Sequence, residues 1–250
     1  MDDLENAVNE VSMLVKQASL FLRDSIKTFG EDKNPSTNVD ILISDFLSDS
    51  LRRVVDVDVL SEESASSFNW TSERIWLIDP IDGTMNFIAG APDVAISVAL
   101  VDRDFNAVLS VIYLPFYDEI YTAIKNRGAY LNGKPINHEH PKLDIVAYGL
   151  PADASVRLDQ IAKAITILIR NGYVLRQSGS AALDICRVAK CTWKVFFEDG
   201  LYVWDVAAAN LIALESGCST FIALSGDSYQ CNYISCNTET LLDEMKGLLG

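Results

Sequence analysis

Within Trp76-Leu77-Ile78-Asp79-Pro80-Ile81-Asp82-Gly83-Thr84-Met85-Asn86-Phe87, two carboxylates stand three residues apart where an apolar run gives way to a turn. Ile75–Asp79 reads as a short strand, Pro80 bars it from continuing as a central one, and Gly83 permits a tight turn. Two acids on one turn at a strand end can converge on a hard cation, and Mg²⁺ takes oxygen ligands while keeping several waters. An isolated D-P-x-D-G is more often an ordinary solvated turn. Other acids in similar places weaken that bland reading. Glu62 and Glu63 follow the apolar run Val57–Leu60, and Asp40 lies near a helix start in Asn34–Asp40. Asp205 precedes the apolar stretch Val206–Leu214, where an Asp alone would be read as a helix cap. Four acidic stations at element ends fit a metal site assembled from loops on a rigid scaffold.

Apolar periodicity predicts the elements that must hold these stations. One amphipathic helix is expected over Leu4–Phe29 and a second over Ile41–Val54, after a Pro35-Ser36-Thr37 breaker. Val94–Val101 and Ala107–Leu114 read as a hairpin across Asp102–Asn106, and Gly128, Asn132–Gly133 and Pro135 mark further turns. Helices are predicted over Leu158–Arg170, Ala181–Ala189, Val206–Ser216 and Leu241–Leu249, with a buried strand over Trp193–Phe197. Helices first, a hairpin-rich middle, then mixed α and β imply layered sheets with helices between and outside them. No repeat or Gly/Ser-rich linker divides residues 1–250, so a single domain is expected, with sub-lobes of about 1–140 and 141–250.

Bulk properties narrow the function. A 250-residue chain that is 49% hydrophobic can bury a large core. Its formal charge of −15 argues against nucleic-acid binding, which relies on clustered Lys and Arg. A small anionic substrate stays compatible, because bound cations reverse the local sign of a carboxylate pocket. Cys186, Cys191, Cys218, Cys231 and Cys236 contain no C-x-x-C pair, and His138 and His140 are the only imidazoles, so free thiols are expected and a zinc site is not. His138 and His140 flank Glu139 in a polar loop and read as surface residues. No apolar run approaches the ~20 residues a membrane helix needs. The expectation is a soluble, cytoplasmic protein without a membrane partner.

The block Trp76–Phe87 resembles the W-x-I/L-D-P-I/L-D-G-T-x-N-F signature of the inositol monophosphatase family. Three further segments resemble family motifs in the right order. Asn34–Asp40 is similar to D-x-V-T-x-x-D, Ser61-Glu62-Glu63-Ser64 to G-E-E-S, and Trp204-Asp205-Val206-Ala207 to W-D-x-A. Ser178-Gly179-Ser180-Ala181-Ala182 resembles the family's G-S/T-A-A loop. The resemblance implies a layered αβαβα sandwich of the inositol monophosphatase and fructose-1,6-bisphosphatase type. It also implies a phosphatase using two to three Mg²⁺ ions, with Mn²⁺ an alternative, and assembling as a homodimer.

Roles carry over by position. The resemblance implies that Glu63, Asp79 and the Ile81 carbonyl hold one ion, that Asp79, Asp82 and Asp205 hold a second, and that a weaker third touches Glu63. It makes Asp40 and Thr84 the groups that orient or deprotonate the attacking water, and the amides near Gly83 and Thr84 the phosphate cradle. Gly179, Ser180, Ala181 and Glu198 would line the substrate pocket, with Glu198 binding hydroxyls of a phosphorylated polyol or sugar. Related activities stay open: fructose 1,6-bisphosphate, histidinol phosphate and 3′-phosphoadenosine 5′-phosphate hydrolysis, or a catalytically idle binding module. The chain departs from the pattern at Asn34 for Asp, Ser44 for Glu, Ser61 for Gly, Ala208-Ala209-Asn210 for a Gly-rich turn, and Ser216-Gly217-Cys218 for A-G-G. Lys33 sits in a loop whose length leaves its match to a family lysine open.

Overall fold

The computed structural model describes residues 3–26, 35–138, 141, 143–150, 158–225 and 229–249. Two sheets follow one another along the chain. β1 (Asp58–Ser61), β2 (Arg74–Asp82), β3 (Ala95–Asp102), β4 (Ala107–Leu114), β5 (Glu119–Ile124), β6 (Ala129–Leu131) and β7 (Lys134–Pro135) form a sheet in sequence order, antiparallel except for the β1–β2 pair. β8 (Ile145–Tyr148), β9 (Val174–Arg176), β10 (Val195–Tyr202), β11 (Ser219–Leu224) and β12 (Gln230–Cys236) form the second, in the order β11-β12-β10-β8-β9.

Alternation along the strands builds the layers, because successive side chains point to opposite faces. Trp76, Ile78, Val98, Leu100 and Val111 face one core with α1 (Asp3–Ile26) and α2 (Pro35–Val54), whose Val11, Val15, Ile43 and Leu47 are fully buried there. Leu77, Ala99 and Ile112 face the opposite way, onto α5 (Ala181–Ala189) and α6 (Val203–Glu215). That same core takes Ala147, Phe196 and Tyr233 of the second sheet. The sheet's far side, with Val146, Val195 and Ile234, packs on Leu168 of α4 (Leu158–Arg170) and on Leu241, Leu242 and Met245 of α7 (Glu239–Leu249). The order is therefore helices, sheet, helices, sheet, helices. Burying both faces explains why the central strands read as apolar runs rather than alternating ones. α6 lies between two sheets and is buried nearly all round, and its run Ala207–Ala209 lets both sheets come close.

Two local expectations need correction. Pro35-Ser36-Thr37 does not break a helix but opens α2, since a first-turn residue needs no amide hydrogen and proline's φ suits the helix. β2 does not end at Asp79: it runs through Pro80 to Asp82, with a register shift against β3 between Asp79 and Asp82 that accommodates the missing donor. The buried strand expected over Trp193–Phe197 starts at Val195 and reaches Tyr202. The 102–106 hairpin, the Asn132–Gly133 turn, α4 and α5 lie where expected. Phe29, Lys33, Asn34, Glu139 and His140 lie outside the described residues, while His138 is exposed. Four of the five thiols are buried, Cys191 is half-buried, and none forms a disulfide. Among the described residues, no helix is long and apolar enough to cross a membrane.

Candidate active site

Every acidic station arrives on a different element. β2 carries Asp79 and Asp82 on either side of the register shift, both buried. α2 brings Asp40, also buried, and the first turn of α6 brings Asp205. A 3₁₀ turn, Glu62–Ser67, carries Glu62 and Glu63 directly after β1. Here two departures from the family pattern meet: the Ser44 hydroxyl donates to Ser61 Oγ at 2.8 Å, and both side chains are buried. That bond ties α2 to the residue that opens the acidic turn.

The acids share one electrostatic field. Burial first, then the charges of Asp82, Glu62, Asp205 and Asp40, hold the Asp79 carboxyl well above the usual range. Burial pushes Asp40 up to about 7, with Glu63 and Glu62 adding to it. Glu62 rises to about 7 through burial, Glu63 and Asp82. Asp205 is raised by burial and Asp82, against a lowering contribution from the Tyr202 amide, which donates to its carboxylate at 2.8 Å. Asp205 is not the cap expected ahead of Val206: α6 starts at Val203 with Tyr202 at its N-cap, and Asp205, the third helical residue, accepts from the Tyr202 amide while lying in the field of Asp82 and Glu62.

Asp82 is raised least in this set, to about 6: burial lifts it, and donors from the start of α5 pull it back. Those donors are the Ser180 hydroxyl and the amides of Ala181 at 3.2 Å and Ala182 at 2.8 Å. Ser180 and Ala181 are both buried where they donate to Asp82. Asp79 accepts from the Ile81 amide at 3.1 Å, and the Thr84 hydroxyl donates to the Ile81 carbonyl at 3.0 Å.

Gly83 fits its place for two reasons. Its φ is +90°, and a Cβ there would lie 2.7 Å from the Asp93 carbonyl. Asn86, one turn into α3 (Thr84–Ala89), donates to that carbonyl at 2.7 Å and to the Ser178 carbonyl at 2.8 Å. It braces the Gly83 turn against the loop holding Gly179 and Ser180. Glu198 on β10 is pushed up to about 8 by burial, then by Asp82 and Asp199. Gly149 makes room for it, since a Cβ there would lie 1.8 Å from the Glu198 carboxylate. Asp184 adds a further buried acid raised by burial, and its Oδ1 has no hydrogen-bond partner.

The charges of Asp82, Glu62, Asp205 and Asp40 all act on Asp79, and Glu198 lies in the field of Asp82 and acts on Asp205. Within the acidic turn, the Glu62 charge acts on Asp79, Asp205 and Asp40, and the Glu63 charge on Asp40 and Glu62. Adjacent glutamates look alike in sequence, so no local signal separates them. Asn86 stood in plain view inside the motif, but its bracing role depends on Ser178, 92 residues away. The donors form an all-oxygen set suited to a hard divalent cation. Among the described residues, no three carboxylate, thiol or imidazole groups are already gathered tightly enough to grip an ion. Asp82 and Asp205 are instead turned onto hydroxyl and amide donors.

Comparison with known proteins agrees with the fold and the motifs. The model of the inositol monophosphatase family matches residues 4–245. The inositol monophosphatase of Dictyostelium discoideum is 33% identical over 201 residues, covering 76% of this chain and 73% of its own. A Haemophilus influenzae protein named Nus factor SuhB is 32% identical over 212 residues, 83% of this chain and 79% of that one. In three dimensions, an inositol monophosphatase from Anabaena superposes with a TM-score of 0.83 at 24% identity, covering 99% of this chain and 96% of the other. This chain belongs to the inositol monophosphatase family, a family of metal-dependent phosphatases.

Proposed function

We propose that the protein is a Mg²⁺-dependent phosphomonoesterase acting on myo-inositol monophosphate or a related small sugar or polyol phosphate. One observation carries the reading: Asp40, Glu62, Asp79 and Asp205 are each raised by burial and by neighbouring carboxylates, and the Asp82 charge acts on Glu62, Asp79 and Asp205. Such a cluster is costly when ionised, and a divalent cation offsets that cost. Asp79, Asp82, Asp205, the Ile81 carbonyl and a glutamate of the acidic turn would hold two to three ions. Glu62 suits that last role better than Glu63, because it reaches the Asp79 and Asp205 charges. Bound there, the ions would lower the pKa of a coordinated water and neutralise charge on the phosphoryl and leaving oxygens.

The chain's own groups do the rest. Asp40, buried beside the acidic turn, is the carboxylate that takes a proton from the attacking water. Thr84, fixed by its bond to the Ile81 carbonyl, orients that water beside the Gly83 turn. The Gly83 and Thr84 amides hold the phosphate. Attack of the water oxygen on phosphorus breaks the ester P–O bond, the departing alkoxide takes a proton from solvent water to become the alcohol, Asp40 returns its proton to solvent, and inorganic phosphate leaves, with no Cys or His nucleophile. Glu198, in the space left by Gly149, accepts hydrogen bonds from substrate hydroxyls.

A second reading, a binding protein that has left catalysis, draws on the relatives named Nus factor SuhB. Retention of Asp40 and Thr84 beside the acids favours hydrolysis, because a binder needs no water-activating pair. The purified protein should release phosphate from inositol 1-phosphate with Mg²⁺ and stop in EDTA. Asp82→Asn should lower that rate by more than about a hundredfold, beyond the usual loss for an outer-shell partner. Fructose 1,6-bisphosphate belongs in the substrate panel, since an Aquifex aeolicus relative is named for both activities. No release from any sugar, polyol or nucleotide phosphate would abandon the phosphatase reading for the binding one.

A further inference from the structure

A row of aromatic rings runs from the acidic 3₁₀ turn to the start of α6. Phe68, the residue after that turn, meets Trp70 edge-on at 6.1 Å between centroids. Trp70 meets Phe105 at 5.4 Å, and Phe105 meets Tyr229 at 5.9 Å, both close to perpendicular. Tyr229 contacts Trp204 at 5.6 Å, and Trp204 stacks on Tyr202 at 4.8 Å with the rings 4° from parallel. We infer that this row is a clasp that fixes the acidic turn against α6, and that Trp70 and Phe105 are positioning residues for the carboxylates at its two ends.

Both ends of the row are tied by backbone amides, one to the acidic turn and one to the Asp205 carboxylate. At one end, Phe68 N–H donates to the carbonyl of Ala65 inside the turn that carries Glu62. At the other, the row finishes on Tyr202, whose amide donates to the Asp205 carboxylate, and on Trp204, the residue before Asp205. Val203 N–H also donates to the Tyr229 carbonyl at 2.8 Å, locking the fourth ring to the first turn of α6. Edge-to-face pairs are directional, so they set the angle between elements as well as their separation.

Phe105 gives the second, independent sign. It sits at φ +58° in the β3–β4 turn, a conformation that a bulky side chain rarely adopts. The turn is held by the Asp102 carboxylate, which accepts from the amides of Asp104 and Asn106 at 3.0 and 2.9 Å. Asn or Gly would serve a plain turn with less strain. A phenyl ring held there between Trp70 and Tyr229 fits a position selected for what its ring touches. Arg103 from the same turn lies over the Trp70 ring at 5.8 Å, on the side chain that links turn to row.

The proposal rests on the metal-dependent reading of the acids, and its test separates the two. Hydrogen exchange of the amides in Glu62–Ser67, measured without metal, should quicken in Trp70→Ala and in Phe105→Asn, and Trp70→Phe should restore most of the protection. Magnesium titration by calorimetry should show affinity about tenfold weaker in Trp70→Ala, with kcat at saturating Mg²⁺ falling less than the affinity. Asn tolerates the left-handed turn, so Phe105→Asn tests the ring without demanding a strained fold. Wild-type exchange rates over Glu62–Ser67 in both folded variants would overturn the clasp. A wild-type protein that binds no Mg²⁺ would instead sink the metal reading, and the exchange arm would still decide the clasp.

Discussion

Replacing Asp40 by Asn should stabilise the metal-free protein while removing its activity. The Asp40 carboxyl has an ordinary value of 3.8 and is pushed up to about 7 by burial, Glu63 and Glu62. About three pH units at ~1.4 kcal/mol each set the cost of holding it ionised, above pH 7, at about 4 kcal/mol. An Asn amide avoids that cost but is buried in its turn, and an incompletely paired amide returns ~1–2 kcal/mol of penalty. A net gain of roughly 2–3 kcal/mol is expected at pH 8.5 in EDTA, which for a chain of this length is a rise in Tm of about 5–10 °C. The direction with pH follows from linkage. Between 3.8 and about 7 the folded state binds the proton and the unfolded state does not, so wild type gains stability as pH falls through that window. The advantage of Asp40→Asn should therefore be level above about pH 7 and shrink from there to pH 5. Differential scanning calorimetry in EDTA at pH 8.5, 7 and 5 measures it, with phosphate release assayed in parallel. A variant that melts at or below wild type at pH 8.5, or a gap that does not narrow on acidification, would refute the electrostatic account of the site.

Two further expectations concern how the acids are held. Ser44→Ala leaves the buried Ser61 hydroxyl without its 2.8 Å donor and should cost ~1–3 kcal/mol in urea unfolding. Adding Ser61→Gly should recover part of that loss, and strictly additive effects in the double-mutant cycle would deny the coupling. Gly83→Ala must fit a Cβ 2.7 Å from the Asp93 carbonyl at φ +90°, so it should lose ~1–3 kcal/mol to backbone strain and cut phosphate release. Wild-type melting and turnover in that variant would show that the turn has more room than its geometry states.

Much of the site could be read locally. The Asp79–Thr84 spacing, the Gly83 turn and the acidic residues at element ends are short-range patterns, and so are the bounds of α4 and α5. The meaning of a proline depends on its place in the fold. Pro35 is tolerated where a helix begins, and Pro80 where β2 shifts register against β3.

The chain by itself determined which chemistry was available: oxygen donors in excess, few cations, turns with glycine where acids cluster, and apolar segments enough for five layers. Only the tertiary structure decided which acid faces which. Asp82 meets Ser180 across 98 residues, and Ser44 meets Ser61 across 17. The Glu62 charge reaches Asp79 of β2 and Asp205 of α6 as well as Asp40 of α2, a difference from Glu63 that no local pattern carries. Such choices are made by burial and by the field of distant charges, and both exist only once the layers have closed.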